Sequence, residues 1–179
     1  MSRTVDCSMG GKRVGATSDL KTAIEQLILK KNLNLCLECG KCSGICPMKD
    51  IYEGYVYQRS PRGVVERLLS HPDNIYDESL WYCLTCLKCT EICPSTIDFQ
   101  GFMTELRELL MEHGHSEYAL FCPTCGSYIM PKKESEYLQK GEGGEKVGEL
   151  LSVCDRCKKS HYVDILYKVS SGPKGGAKS

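Results

Sequence analysis

The sequence predicts a mainly α-helical chain followed by a small C-terminal module with short β-strands. Three observations carry that expectation. Apolar residues recur at helical spacing between Leu20 and Leu110. A four-cysteine motif occurs twice inside this helical stretch. Beyond His115 the helical period stops, and β-forming residues appear with a second kind of cysteine pair.

Each element has a local reason. Thr17 or Ser18 is placed to cap a helix whose stripe is Leu20, Ile24, Leu27 and Ile28. Ser60-Pro61 reads as a cap followed by proline at the first helical position, and Val64, Val65, Leu68 and Leu69 form one face until His71-Pro72 ends it. Asp77 is expected to cap a short helix running into Trp81. Phe99, Phe102, Met103, Leu106, Leu109 and Leu110 mark a longer helix, with Gly114 as its stop. These stripes are read as core packing. In the C-terminal part, strands are expected around Ser127 to Met130 and His161 to Val169, and Glu142 to Lys146 reads as an exposed loop. Residues 1–17 are expected to form a flexible N-terminus and residues 170–179 a disordered tail.

Composition narrows the function classes. The 23 basic and 23 acidic side chains cancel, so no general electrostatic attraction to nucleic acid or an anionic membrane is expected. The longest stretch free of Asp, Glu, Lys and Arg, Tyr118 to Pro131, has 14 residues, whereas a spanning helix needs roughly 20. No membrane insertion is expected, and Met1 to Ser18 lacks an apolar signal core, so a cytoplasmic location is expected. In a reducing compartment clustered cysteines point to metal or redox chemistry rather than disulfides. Thirteen cysteines are present, and all but Cys7 fall into spaced motifs.

The first motif is Cys36-Leu-Glu-Cys39-Gly-Lys-Cys42-Ser-Gly-Ile-Cys46-Pro47 and the second Cys83-Leu-Thr-Cys86-Leu-Lys-Cys89-Thr-Glu-Ile-Cys93-Pro94. Both read C-x2-C-x2-C-x3-C-P. Three thiolates two residues apart can wrap one corner of a cubane, while the fourth leaves on a helical turn and reaches the other cluster. One [4Fe–4S] cluster is therefore expected on Cys36, Cys39, Cys42 and Cys93, and a second on Cys83, Cys86, Cys89 and Cys46. Gly40, Ser43, Gly44 and Thr90 are small enough to let backbone amides approach the sulfurs, and Ile45 and Ile92 are expected to shield them from water.

The 36 residues between Cys46 and Cys83 hold a helix, unlike the short connection of small bacterial ferredoxins. With a helix before the first motif and a long one after the second, residues 18–115 resemble the α-helical ferredoxin domain. That domain occurs in iron–sulfur subunits of succinate dehydrogenase and anaerobic glycerol-3-phosphate dehydrogenase. Ser60-Pro61-Arg62-Gly63-Val64 and Leu80-Trp81-Tyr82-Cys83-Leu84-Thr85-Cys86 resemble the electron-relaying iron–sulfur subunit of heterodisulfide reductase. The resemblance implies an electron-transfer subunit, not itself catalytic. It would relay electrons from a flavin-bearing subunit, or a hydrogenase-side donor, to a cysteine-rich catalytic subunit. The alternatives are the iron–sulfur subunit of another anaerobic dehydrogenase, or a regulatory or assembly protein with structural clusters. This chain has no Cys-Cys dipeptide of the kind such catalytic subunits carry, and no strand–helix context for a dinucleotide fingerprint.

Cys122-Pro-Thr-Cys125 and Cys154-Asp-Arg-Cys157 are two further knuckles, 28 residues apart. On two hairpin turns they would supply four thiolates in a tetrahedron, so residues 116–169 are expected to be a zinc ribbon with one Zn2+; a rubredoxin-type iron uses the same ligands. Basic and acidic residues roughly balance across this module, so protein docking is expected in preference to nucleic acid. His113, His115 and His161 are expected at surfaces or helix ends, and Lys41 and Lys88 in solvent. Arg59 and Arg62 are candidate partner contacts.

Overall fold

The computed structural model describes residues 20–72 and 76–170. Cys7, the caps Thr17 and Ser18, and the expected flexible N-terminus and tail lie outside the described residues, apart from Ser170.

Helix α1 (Leu20–Lys30) buries Leu20, Ile24, Leu27 and Ile28, its whole apolar stripe. Helix α2 (Lys41–Ile45) lies inside the first motif, and α3 (Met48–Ile51) follows it. Helix α4 (Pro61–Ser70) starts where expected, because the Ser60 hydroxyl accepts from the Gly63 N–H and Pro61 occupies the first turn. It buries Val64, Val65 and Leu68, while Leu69 is exposed. The Asp77 carboxylate accepts from the Ser79 N–H and caps a 3-10 turn at Glu78–Trp81. Helix α5 (Lys88–Glu91) lies inside the second motif, and α6 (Phe99–Glu112) is capped by Asp98. At its end His115 N–H bonds to Leu110 C=O at 2.9 Å and Gly114 N–H to Met111 C=O at 3.1 Å, with Gly114 at φ 89°. This paired closure needs a left-handed residue, which is why glycine stops the helix.

The core forms where α1, α4 and α6 meet. Ile24, Leu33, Phe102, Leu106 and Leu110 are fully enclosed, and Leu80 and Trp81 complete it. Each such side chain contributes about 1.5–3 kcal/mol through removal from water. Gly63 lets α4 pack against the 3-10 turn Tyr57–Arg59. A Cβ there would collide with the Tyr57 carbonyl and lie 2.9 Å from the Gln58 Cα.

The C-terminal part has the strand expected around Ser127 to Met130 and differs from expectation elsewhere. Strand β1 (Ala119–Phe121) pairs antiparallel with β2 (Tyr128–Pro131), a two-stranded ribbon with a bulge between Leu120 and Phe121. Helix α7 (Lys132–Leu138) follows β2, and α8 (Gly144–Leu151) takes in the Gly144 to Lys146 part of the stretch expected to be a loop. Residues 161–169, expected to be a strand, lie within α9 (Asp155–Ser170). No Gly or Pro interrupts this run, and a strand there would need a pairing edge, whereas a helix satisfies its backbone internally. The second knuckle therefore leads into a helix rather than a hairpin, and a zinc ribbon is not what forms. Among the described residues the fold is mainly α-helical with one small open sheet.

The fold-class expectation is also corrected on its metal content. Among the described residues one four-cysteine set converges, not two cluster-binding sets plus a zinc ribbon.

Candidate metal and iron–sulfur sites

The two motifs adopt the same backbone path. Glu38 and Thr85 have φ 57° and 49°, and Gly40 and Leu87 have φ 72° and 68°. Each loop thus makes two left-handed steps before a short helix, α2 or α5, turns its last cysteine away. Helices α2 and α5 face one another.

That arrangement crosses the cysteines between two cavities. One is lined by Cys36, Cys39, Cys42 and Cys93, the other by Cys46, Cys83 and Cys86, and Cys89 borders both. Three cysteines of each motif thus line one cavity, and the fourth lines the other. Pro61 and Phe99 line both cavities and form the apolar wall they share. Ile45 and Ile92, expected to shield the sulfurs, are instead 39% and 38% exposed, because the short helices aim them outward. Cys39 and Cys86 are exposed and Cys46 is buried.

Burial shapes the chemistry of these thiols. It pushes Cys42, Cys46 and Cys83 above the usual thiol value and Cys89 up to about 12, since a thiolate loses hydration there. A bound cation reverses that preference. The Thr85 N–H points at Cys83 Sγ, 3.4 Å away. The Thr90 hydroxyl accepts from the Gln100 N–H at 3.0 Å, joining the second motif to α6.

The C-terminal cysteines converge on one point. The sulfurs of Cys122, Cys125, Cys154 and Cys157 all lie within 4.8 Å of one another. Strands β1 and β2 hold the first pair: Cys122 N–H bonds to Ser127 C=O, and Gly126 N–H to Cys122 C=O, both at 2.8 Å. The second pair sits at the start of α9, where Lys158 N–H bonds to Cys154 C=O at 3.0 Å. Arg156 Nη2 donates to Ser127 Oγ at 3.2 Å and links the two knuckles. The Ser127 hydroxyl, 3.1 Å from Cys125 Sγ, and its amide hold the Cys125 thiol down at about 5. The Cys154 amide, more than those of Cys125 and Thr124, lowers Cys122. Cys157 is pushed up, because Cys125 and the other sulfurs crowd it. Four thiolates this close repel unless a cation lies between them, so the donor set fits a metal ion.

Residues 32–97 match the family described as the 4Fe-4S dicluster domain. An iron–sulfur, ferredoxin-like domain is present. No curated protein and no solved structure matches the chain.

The cofactor expectation of two [4Fe–4S] clusters plus a separate Zn2+ is overturned by the cysteine geometry. Among the described residues, Cys122, Cys125, Cys154 and Cys157 are the single four-cysteine metal-binding cluster. The eight sulfurs of the motifs line two cavity walls and do not draw together in this way.

Other singled-out residues have internal roles. Arg62 is buried, lines the first cavity and pairs with Glu38 at 2.8 Å. Arg59 lies 4.2 Å above the Tyr82 ring and donates to Gly54 C=O at 3.0 Å. His113 Nδ1 lies 2.8 Å from Leu109 C=O at the helix end, and His115 stacks on Tyr76. His161, Lys41 and Lys88 are exposed.

Sequence reasoning missed Arg107 and Ser127. Arg107 is buried in the core face of α6 and donates to the carbonyls of Leu80 and Cys83, bracketing the start of the second motif. A charged residue inside an apolar stripe was the available signal. For Ser127 it was a hydroxyl two residues after a knuckle cysteine.

Proposed function

We propose that this chain is an electron-transfer subunit, relaying electrons between a flavin-bearing or hydrogenase-side donor and a cysteine-rich catalytic partner, in the manner of the relay subunit of heterodisulfide reductase. The crossed lining of the two cavities carries this reading, because thiols from both motifs stand on either side of one shared apolar wall. Cys36, Cys39, Cys42 and Cys93 on one side, and Cys46, Cys83, Cys86 and Cys89 on the other, are the proposed iron–sulfur ligands. An iron–sulfur group supplies one-electron chemistry, which needs little movement of the surrounding protein. The chain's own residues do the rest. The thiolates hold the group, Pro61, Phe99 and Val65 exclude water, and Arg62 places a positive charge beside Cys36. The exposed Cys39 and Cys86 bring the sulfur side of each loop to the surface, where a partner can approach.

Residues 18–115 are proposed to carry the relay and residues 116–169 to dock a partner. These parts are joined by packing: Ala119 belongs to the helical core, Tyr128 meets Trp81 edge-on, and Lys133 pairs with Glu78 at 3.3 Å. Among the described residues no helix is long and apolar enough to cross a membrane.

Anaerobic purification from the native source tests the reading. Bound iron and sulfide, reversible reduction, and electron exchange with a co-purifying flavoprotein are expected. Iron that cannot be reduced reversibly would exclude a relay, and salt-sensitive nucleic-acid binding by such a protein would favour the regulatory alternative.

A further inference from the structure

Helix α9 runs from the four-cysteine centre into solvent. Its start is tied down by the Arg156–Ser127 hydrogen bond beside Cys154 and Cys157, yet every residue from Lys159 to Ser170 is exposed. The helical period puts Tyr162, Ile165, Leu166 and Val169 on one side with Val163 at its edge, and Leu166 and Val169 are 67% and 75% exposed. His161, Asp164 and Lys168 fall on the other side. Val163, Ile165, Val169 and the tyrosines are poor helix formers, and a helix this short gains most of its stability from packing an apolar face.

What covers this face follows from size, charge and register. The terminal segments bring no matching surface: residues 171–179 have no Val, Leu, Ile, Met or aromatic side chain, and residues 1–19 interrupt Met1, Val5, Met9 and Val14 with glycines and charges. At about 100 Å² for each exposed apolar side chain, the five and the Tyr167 ring beside them give about 600 Å² per copy and about 1,200 Å² for two, the lower bound of a stable dimer. A second copy of the helix fits in one orientation. Running parallel, it would set Lys158 and Lys159 against their own copies, a like-charge contact. Running antiparallel with the two-fold axis at Leu166, it sets Leu166 on Leu166, Val163 beside Val169 and Tyr162 beside Ser170. Lys158 and Lys159 then reach the carbonyl end of the other helix, where the helix dipole is negative. We propose that α9 is a self-association face, through which two copies of this chain pair antiparallel about Leu166 into a concentration-dependent dimer. The inference stands apart from the iron–sulfur reading, because it uses no cysteine of either motif.

Sedimentation velocity of the full chain, loaded anaerobically, over a wide range of concentration is the test. The mass is expected to move from one copy to two as concentration rises. Leu166→Lys and Val169→Lys place charge at the contact and are each expected to weaken the dimer more than about tenfold. Both side chains are exposed, so the circular dichroism of the fold is expected to stay. Asp164→Lys, on the other side of the helix, is expected to leave the dimer as it is. Val163→Lys combined with Val169→Glu sets opposite charges beside one another across the axis, and is expected to restore pairing that either change alone weakens. No restoration would refute the antiparallel register. A single copy at every concentration overturns the proposal, as does a dimer untouched by both Leu166→Lys and Val169→Lys. A single copy that sediments with phosphatidylglycerol vesicles, and loses this in Leu166→Lys, assigns the face to lipid and overturns it equally.

Discussion

Arg107→Leu removes the guanidinium that joins the core to the start of the second cysteine motif. Nε and Nη2 both reach the Leu80 carbonyl, at 3.1 and 2.8 Å, and Nη2 also reaches the Cys83 carbonyl at 2.7 Å. The group lies 5.5 Å from the Trp81 ring centroid and is 4% exposed. Leucine keeps much of the volume and leaves two carbonyls without these donors, at about 1–3 kcal/mol each. The lost cation–π contact adds about 0.5–2 kcal/mol. Relief from burying a charge offsets part of this, so the expected net loss is about 3 kcal/mol, near the lower end for breaking a buried charged contact. With a urea slope of about 1–3 kcal/mol per molar, the midpoint falls by about 1–3 M. The assay is urea unfolding of anaerobically loaded protein followed by circular dichroism. Arg107→Lys keeps a cation but not the planar fork, and should lie between wild type and leucine. A leucine midpoint within about 0.3 M of wild type would refute the assignment of these carbonyls to Arg107.

Three further outcomes are expected. Lys31 bonds Asp98 at 2.7 Å and Glu105 at 3.0 Å; it holds the Asp98 carboxyl below its usual range, and Lys30, 2.6 Å from Glu105, together with Lys31 holds the Glu105 carboxyl down. Their stabilisation is present above the unfolded carboxyl values and is lost as pH falls through the lower folded ones; Lys31, raised by the same partners, loses its share only as pH rises above 10.5. Asp98→Asn keeps the cap and removes the charge, so it should cost under about 1 kcal/mol near neutrality and flatten the acid limb of Tm against pH. Leu87 holds φ 68° where its counterpart is Gly40, so Leu87→Gly relieves about 1–2 kcal/mol of left-handed strain against about 0.5–1 kcal/mol of added chain entropy. A Tm rise of a few degrees is expected, and a fall would show that the exposed leucine packs on something. Cys122→Ser removes one of the four converging sulfurs; elemental analysis should show one metal ion fewer per chain, and proteolysis within α9 should quicken.

Much of the helical part is legible in the sequence because its signals are local. The stripe Leu20, Ile24, Leu27 and Ile28 needs only the helical period to be read, and Ser60-Pro61 and Asp77 act within one turn of themselves. The C-terminal part misleads because propensity is its only local guide. Tyr162, Val163, Ile165, Tyr167 and Val169 favour strands in isolation, yet with no strand beside them the chain closes its own hydrogen bonds as α9. The exposure of Ile45 and Ile92 is likewise invisible along the chain, since it depends on which way a short helix is turned by its neighbour.

The sequence by itself determined that twelve cysteines act in spaced groups, since ligand spacing is a property of the chain. It also determined the apolar stripes of α1, α4 and α6 and the Ser60 cap of α4. Only the tertiary structure decided where the sulfurs meet. Four of them, brought together by a strand-connecting turn and a helix start 28 residues apart, converge within 4.8 Å, while the eight motif cysteines spread across two cavities behind one wall. Convergence depends on the packing of distant segments, and spacing along a chain does not encode the distance between folded loops.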